Sequence, residues 1–220
     1  MTILEFPPVE EADQRGLLAI GGDLEVPSLL LAYRSGIFPW PFDDKVLAWF
    51  SPSQRAILFL DKLHLSTSLT RTRKRKRSTW HFSINKDFAG VIRACARAKN
   101  RKGHNGTWIT EEMIDSYIEL HRAGYAHSFE CYDEEKLIGG VYGVSIGQLF
   151  AAESMFYLEP NASKLALCFL VETLRKHGVQ WIDCQVLNPF TEKLGAVNLP
   201  REKFLEMLRE AVEKPKIPLP

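Results

Sequence analysis

Asp183 and Gln185 are a pair of residues whose types and spacing could support chemistry. They lie two positions apart in residues 180–186, where apolar and polar side chains alternate with the period of a β-strand. That period places both on one face, about 7 Å apart. The mostly apolar residues 162–177 favour a central strand, on which a carboxylate and an amide are costly unless each binds a partner or a substrate. The alternative is an edge strand with a solvated face.

Glu153 is a third polar candidate. It lies in a strand predicted at residues 148–157, on the same face as Met155 and among small or apolar neighbours. A carboxyl group in such surroundings is unusual enough to mark a candidate site.

The motifs of several enzyme classes are missing. The sequence contains no HExxH, Walker or GxGxxG pattern, and its six histidines lack the close spacing of metal ligands. No metal site is therefore expected. The period of two points Cys184 away from Asp183, which argues against a thiol nucleophile. What remains is the polar trio of Glu153, Asp183 and Gln185.

The composition is that of a chain able to bury a full core. Its 220 residues are 45% hydrophobic and carry a formal net charge of +1. The four cysteines show no CxxC spacing and fall in predicted helices or strands, which favours reduced thiols and a cytoplasmic location. We expect no signal peptide, and no apolar run reaches the roughly 18–20 residues of a membrane span. A soluble protein without a membrane partner is expected.

The elements that must position the trio follow a break near residues 60–65. Residues 1–60 are rich in proline and glycine, with a short helix at 27–35 and a strand at 56–60. After residue 79 the predicted order is β-α-α-β-β-β-α-β-α. The proline-rich end, residues 214–220, is predicted to fray.

Aromatic residues are concentrated in the loop-like sequence of residues 38–50. Trp40 and Trp49 stand there among three phenylalanines. Most such tryptophans are core residues, but aromatic side chains in a proline-rich loop also offer stacking surfaces to a nucleic-acid base. Trp49 is the candidate for that role.

Residues 71–77 form the only charge run, with six basic residues in seven. A solvated helix face and a disordered loop are the plain interpretations, and a localisation signal fits poorly inside a folded domain. The functional interpretation is a contact with phosphates of nucleic acid, whose affinity depends steeply on salt.

The chain resembles the leucyl/phenylalanyl-tRNA–protein transferases over nearly its whole length. The similarity rests on these blocks, in order: GLLAIGGDL (16–24), AYRSGIFPW (32–40), WFSP (49–52), GTWIT (106–110), GYAHS (124–128), GGVYGV (139–144), ESMF (153–156), NASK (161–164), IDCQ (182–185), LGA (194–196) and PR (200–201).

The resemblance implies an activity and a fold. Members of the family move Leu or Phe, and also Met, from aminoacyl-tRNA to proteins with an N-terminal Arg or Lys, which marks them for degradation by the N-end rule. The implied fold is α+β, with a small N-terminal α/β domain followed by a GNAT-like (acyl-CoA N-acyltransferase-like) domain. On this sequence the two are expected at residues 1–62 and 63–220. No cofactor is expected, and the protein is expected to be a monomer.

The resemblance also implies roles for the site residues. Asp183 would polarise and orient Gln185, whose carbonyl accepts from the incoming amine, and Glu153 would position the aminoacyl end or the cationic N-terminal residue. Trp49 and Trp108 would stack on the terminal adenosine. The other expected substrate-binding residues are Met155, Leu167, Leu170, Ile182 and Asn188. The residues expected to bind the tRNA acceptor stem are Arg71, Arg73, Lys74, Arg75, Lys76 and Arg77.

Two other classes of function compete with this one. A coenzyme A-dependent N-acyltransferase needs a glycine-rich phosphate loop before the helix at 162–177, and residues 158–163 lack those glycines. A non-catalytic RNA-binding module would account for the basic run and the aromatics. It gives no reason for Glu153, Asp183 and Gln185 to converge.

Overall fold

The computed structural model describes residues 2–41, 46–98 and 108–220. Phe42 and the polar loop predicted at 99–106 lie outside these ranges. Two sheets and seven α-helices make up the described part, which confirms the α+β class. The strands are β1 Leu17–Ile20, β2 Phe38–Pro39, β3 Ala48–Phe50, β4 Gln54–Phe59, β5 Trp80–Ile84, β6 Ala126–Asp133, β7 Lys136–Ile146, β8 Leu149–Tyr157, β9 Trp181–Asp183 and β10 Val197–Pro200. The helices are α1 Val26–Arg34, α2 Thr67–Lys76, α3 Phe88–Arg97, α4 Glu111–Arg122, α5 Ala162–Lys176, α6 Pro189–Lys193 and α7 Arg201–Glu213.

The two sheets differ in size and in origin. β1, β3 and β2 form an antiparallel sheet within the N-terminal segment. The larger sheet has the order β10-β4-β9-β8-β7-β6-β5. Its neighbouring strands are antiparallel, except for β8 and β9, which are parallel and connected through α5. β9 lies between β4 and β8, so the central position predicted for this strand is confirmed and the edge-strand alternative is wrong.

Helices cover both faces of the larger sheet. Val91, Ile92 and Cys95 of α3 pack in one buried cluster with α4 and with alternate residues of β7, such as Tyr142 and Val144. The apolar residues of α5 pack in a second cluster on the opposite face. Because both faces are buried, the strands between them present few polar side chains, and those that they do present need partners.

The predicted order of elements is confirmed for β5 to β9 and for α7. Periodicity does not predict α6 or β10, which have five and four residues. Elements this short contain too few repeats of a helical or strand period to be recognised.

The prediction of a frayed C-terminal segment is wrong. Ile217 is 2% exposed, and its N–H donates to the C=O of Gly147 at 3.1 Å. The side-chain amide of Asn85 donates to the C=O of Pro220 at the chain end. The burial of one apolar side chain and these hydrogen bonds hold a segment whose proline content excludes it from a helix.

Candidate active site

β8 carries Glu153 at a β-bulge. The pairing of β7 with β8 shifts register between Tyr142 and Gly143, so Glu153 has no partner across the ladder. A bulge redirects the side chain of the extra residue. Gly143 allows the two strands to approach here, because a Cβ at this position would lie 2.3 Å from the backbone oxygen of Ala151. The regular alternation predicted over residues 148–157 is therefore interrupted at Glu153.

The regular strand ends at Asp183, earlier than the strand predicted at residues 180–186, although the N–H of Cys184 and the C=O of Gln185 still hydrogen-bond to Ala56 of β4. Gln185 has a φ of 58°, in the left-handed region, and the backbone makes a three-residue turn around it. Asp183 favours this turn, because its Oδ1 accepts the N–H of Gln185 at 2.9 Å. Extended alternation at Gln185 is thus a wrong prediction, although the turn still brings its side chain towards Glu153.

Glu153 is the centre of a hydrogen-bonded cluster. Its Oε1 accepts from Gln185 Nε2 and from the Tyr33 hydroxyl, each at 2.7 Å. The hydroxyl oxygens of Tyr33 and Tyr117 are 2.5 Å apart, and that of Tyr117 lies 3.5 Å from Glu153 Oε2. The amide nitrogen of Gln185 is committed to the carboxylate. Among the described residues no donor reaches its carbonyl oxygen, which can therefore accept from a substrate.

Burial shifts the protonation of this cluster. Desolvation raises the pKa of Glu153 to about 7, although the hydrogen bond from Tyr33 acts in the opposite direction. Desolvation also raises the pKa values of Tyr33 and Tyr117 well above their usual range, so both keep their hydroxyl protons near neutrality. Near pH 7 Glu153 can therefore take up or release a proton, which an ordinary carboxyl group cannot do.

Asp183 forms a buried ion pair with Arg55 of β4. Arg55 Nε donates to Asp183 Oδ1 at 2.8 Å and Arg55 Nη2 donates to Asp183 Oδ2 at 2.7 Å, while the two residues are 2% and 1% exposed. With the N–H of Gln185, three hydrogen bonds occupy the carboxylate. Asp183 does not line the cavity described below, and its link to Gln185 runs through the backbone rather than through the side-chain amide.

Arg55 is itself held by two distant segments, residues 36–38 and α7. Its guanidinium carbon lies 4.7 Å from the ring centroid of Phe38 and 4.6 Å from that of Phe204 in α7. Its Nη1 donates to the C=O of Gly36 at 3.1 Å. The Arg55 clamp, as we call this arrangement of Arg55 between the two rings, therefore joins both ends of the chain to the strand that carries Asp183.

A cavity of about 920 Å³ opens above this cluster, and Glu153 and Gln185 are part of its wall. Its lining is largely apolar, as in sites that bind an organic group. Five residues expected to bind substrate line it: Trp108, Met155, Leu167, Ile182 and Asn188. Leu170 of α5 is a further residue expected in this pocket. It is fully buried in the core between α5 and the sheet and does not reach the cavity.

Trp40, not Trp49, stands beside Trp108. Trp40 is 39% exposed, and its ring centroid lies 5.7 Å from that of Trp108. Trp49 is 1% exposed, donates its Nε1–H to the C=O of Gly21 at 2.8 Å and packs against Phe6. The expected stacking role of Trp49 is therefore a wrong assignment, because its ring faces are covered by the core.

The basic run lies on α2 and at Arg77 beyond it, so the disordered-loop alternative is wrong. α2 packs through Leu69 and Thr72 and presents Arg71, Lys74 and Arg75 to solvent. Two of the six basic residues have partners: Arg73 pairs with Glu172 at 2.6 Å, and the Lys76 ammonium lies 5.0 Å from the ring centroid of Trp80. A solvated helix face and a phosphate contact both remain compatible with this surface.

Four residues of the site are missing from the predictions made on sequence: Tyr33, Trp40, Arg55 and Tyr117. Arg55 leaves a signal, since it is a single charged residue entering the apolar run of β4. The tyrosines leave none, because each lies on the buried face of an ordinary amphipathic helix.

The described residues contain no group of three or more His, Cys, Asp or Glu side chains that could hold a metal ion. Within residues 2–41, 46–98 and 108–220, every helix is too short or too polar to traverse a lipid bilayer.

Comparison with known proteins points to one family. The family profile described as "Leucyl/phenylalanyl-tRNA protein transferase" matches residues 57–209, and the profile of its N-terminal domain matches residues 22–53. The protein of that name from Idiomarina loihiensis is 48% identical over 96% of this chain and 89% of its own length. Those from Pseudoalteromonas atlantica and Thermodesulfovibrio yellowstonii are 50% and 49% identical, each over 96% of this chain and over 90% and 85% of their own lengths. The solved structure of L-PGS from Bacillus licheniformis has a TM-score of 0.43 and 13% identity, over 86% of this chain and 71% of that one, a similarity too weak to carry an argument.

Proposed function

The chain belongs to the leucyl/phenylalanyl-tRNA protein transferase family, and we infer from this that it is an aminoacyltransferase that moves a leucyl or phenylalanyl group from aminoacyl-tRNA to a protein. One observation supports an assignment of this activity to particular side chains. Glu153 and Gln185 are hydrogen-bonded to each other in the wall of a large apolar cavity.

The reaction is the aminolysis of an ester. The acceptor nitrogen attacks the ester carbonyl carbon, a C–N bond forms, and the C–O bond to the ribose of the terminal adenosine breaks. The reaction is downhill because an ester becomes an amide, but a free α-amino group has a pKa of about 8 and is mostly protonated at neutral pH. The ammonium group must therefore lose one proton to solvent before the attack, and the enzyme must take a second proton from the attacking nitrogen and hold that nitrogen about 3 Å from the carbonyl carbon.

Gln185 is suited to hold the amine. An ionised carboxylate only accepts hydrogen bonds, so the –NH2 of Gln185 faces Glu153 and its carbonyl oxygen is available to an N–H of the acceptor. We propose that Gln185 orients the amine in this way. Asp183 then acts as a positioning residue, because it fixes the turn at Gln185 from behind and does not reach the cavity.

Glu153 is suited to take the proton. Its Oε1 accepts two short hydrogen bonds, whereas its Oε2 is approached only by the Tyr117 hydroxyl at 3.5 Å among the described residues. We propose that Oε2 receives the proton of the attacking amine and returns it to the ribose oxygen as the ester bond breaks. A pKa of about 7 matches both halves of this exchange.

The cavity wall supports a placement for the donor. We propose that the Leu or Phe side chain packs against Met155, Leu167 and Ile182, and that the terminal adenine stacks on the pair formed by Trp40 and Trp108. Stacking on an aromatic side chain contributes about 1–3 kcal/mol per base. An apolar pocket separates side chains by only about 1–3 kcal/mol per methylene, so Met is expected to be accepted as well.

Several finer features are part of the same proposal. The acceptors are proteins with an N-terminal Arg or Lys, the basic face of α2 contacts the acceptor stem, and the enzyme is a cytoplasmic monomer that needs no cofactor. We also propose a small N-terminal domain and a GNAT-like catalytic domain, expected at residues 1–62 and 63–220. The two separate sheets support two parts, although β4 at residues 54–59 pairs within the larger sheet.

The direct test is to incubate the protein with radiolabelled leucyl-tRNA and a peptide that begins with Arg. Labelled peptide is the expected result, and a peptide that begins with Ala should stay unlabelled. Release of free leucine without labelled peptide would mean that the cavity hydrolyses the ester and does not transfer it.

A further inference from the structure

The N-terminus of α5 meets the cavity without a cap. Asn161 at the N-cap position has a φ of 74°, and its side chain makes no capping hydrogen bond. Its Nδ2 donates instead to Thr72 Oγ1 of α2 at 3.1 Å. Among the described residues no acceptor reaches the backbone N–H of Ser163 or of Lys164. Helix ends that are buried normally satisfy these donors, so their exposure to a cavity calls for a ligand.

A buried hydroxyl points to the same place independently. Ser163 is 3% exposed and lines the cavity, yet within the part of the chain that the structure describes its hydroxyl has no hydrogen-bond partner. A hydroxyl that lines a cavity and has no protein partner can donate a hydrogen bond to a ligand there. Lys164 also lines the cavity, with its ammonium 5.9 Å from the ring centroid of Phe190.

These groups share one chemical preference. Two backbone N–H donors, a hydroxyl and an ammonium lie at the positive end of a helix of 15 residues, which favours an anion with several oxygen atoms. The donors are also rigidly placed. Gly139 of β7 packs directly behind them, so that a Cβ on it would lie 2.7 Å from the backbone nitrogen of Ser163.

The position of this helix end identifies the anion. On one side Asn161 joins it to α2, which carries the basic face. On the other side the same cavity holds the aromatic pair of Trp40 and Trp108. The N-terminus of α5 therefore contacts the helix with the basic face and shares a cavity with the proposed adenine site, and a phosphate next to the terminal adenosine is the anion that suits both neighbours.

We propose that the N-terminus of α5, with Ser163 and Lys164, binds the phosphodiester that joins the last two nucleotides of the donor tRNA. This subsite rests on the proposed function, because it assigns a place to the donor of that reaction. Its effect is to fix how far the terminal adenosine enters the cavity. The ester carbonyl then meets Gln185 at a defined distance.

Equilibrium binding of nucleotides tests the subsite without any transfer. Calorimetry would compare adenosine, 5′-AMP and cytidylyl-(3′→5′)-adenosine on the intact protein. We expect both phosphorylated compounds to bind at least about tenfold more tightly than adenosine, since hydrogen bonds to a charged group are strong. This advantage should shrink as salt rises from about 50 to 500 mM, because salt screens charge.

The variant Ser163→Ala/Lys164→Ala should reduce the ratio of the Kd for adenosine to that for 5′-AMP by at least about threefold, but not to one, because both backbone N–H donors remain. Lys176→Ala, at the exposed far end of the same helix, is the matched control and should keep the ratio of the unmodified protein. A ratio unchanged in the double variant would overturn the proposal. So would a gain seen with cytidylyl-adenosine but not with 5′-AMP, since cytidine would then account for it. Binding of inorganic phosphate without any gain of 5′-AMP over adenosine would also overturn it. Failure of the proposed function would appear separately, as absence of labelled peptide from leucyl-tRNA.

Discussion

Among single side chains, Glu153 should govern the pH dependence of transfer. Its ionised form accepts the proton, so we expect kcat/KM to rise with pH through about 7, the value to which burial raises its pKa. Glu153→Gln keeps the shape and the hydrogen bonds of Tyr33 and Gln185 but cannot take a proton. Transfer should fall by about 10²–10⁴-fold, and the inflection near pH 7 should disappear from the profile. A variant that keeps this inflection would assign it to another group.

The same variant should be more stable than the unmodified protein in alkaline solution. A carboxyl group whose pKa is raised on folding loses stability as pH rises from its unfolded value, near 4.5, to its folded value, near 7. We therefore expect Glu153→Gln to exceed the unmodified protein by about 1–3 kcal/mol at pH 8 and by much less at pH 4.5. Urea denaturation at the two pH values measures the difference. An equal difference at both would argue against a strained carboxyl group.

Trp40 and Trp49 form a matched pair for the assignment of the adenine site. Trp40 is 39% exposed beside Trp108, whereas Trp49 is in the core. Trp40→Ala should raise KM for aminoacyl-tRNA by about tenfold, as expected when one stacking partner is removed, with little change in stability. Trp49→Ala should instead lower the free energy of unfolding by about 3–5 kcal/mol. Steady-state kinetics and thermal denaturation of both variants measure these effects. A higher KM in Trp49→Ala, together with a loss of stability in Trp40→Ala, would reverse the assignment.

At the scale of the strands, Asp183 on β9 has two possible roles, its charge pairing with Arg55 on β4 and its hydrogen bond to the turn at Gln185. Variants of both residues can separate them. Removing Asp183 alone leaves a buried guanidinium unpaired, at a cost of about 3–5 kcal/mol, so loss of activity would be ambiguous. An Arg55→Met background removes that charge. In it, Asp183→Asn keeps an oxygen that accepts the N–H of Gln185, and Asp183→Ala does not.

We expect the Asn variant in this background to transfer at least about tenfold faster than the Ala variant, because only it keeps the turn that aims Gln185. Single-turnover rates with saturating leucyl-tRNA provide the comparison, and circular dichroism checks that both variants are folded. Equal rates in the two would mean that the hydrogen bond from residue 183 to the turn is not what transfer requires.

The parts of the site that periodicity predicts are those set by local sequence. The strands that carry Glu153 and Asp183 and the helix between them follow from apolar spacing. The bulge at Glu153 does not, because it depends on Gly143 in another strand, and the turn at Gln185 depends on a side chain that captures a backbone N–H. Arg55 finds its partner 128 positions away, a distance over which residue spacing carries no information.

For the molecule as a whole, the basic face of α2 should bind the tRNA through charge. Arg71, Lys74 and Arg75 are exposed, while Arg73 is partly neutralised by Glu172. Changing Arg71, Lys74 and Arg75 to Gln should weaken tRNA binding at low salt. It should also reduce the slope of log K against log salt by about 0.7–0.9 for each phosphate that the variant no longer neutralises. Filter binding at several salt concentrations measures the slope. An unchanged slope would support the solvated-face interpretation.

The Arg55 clamp has a consequence for when activity is acquired. Phe38 stacks on the guanidinium from an early part of the chain, and Phe204 comes from the last helix. During synthesis the catalytic strand is therefore complete well before the clamp that holds Asp183. We expect a nascent chain stalled on the ribosome with α7 still inside the exit tunnel to be inactive, and the same chain to become active on release. Transfer by the stalled chain would show that the site assembles without the C-terminal helix.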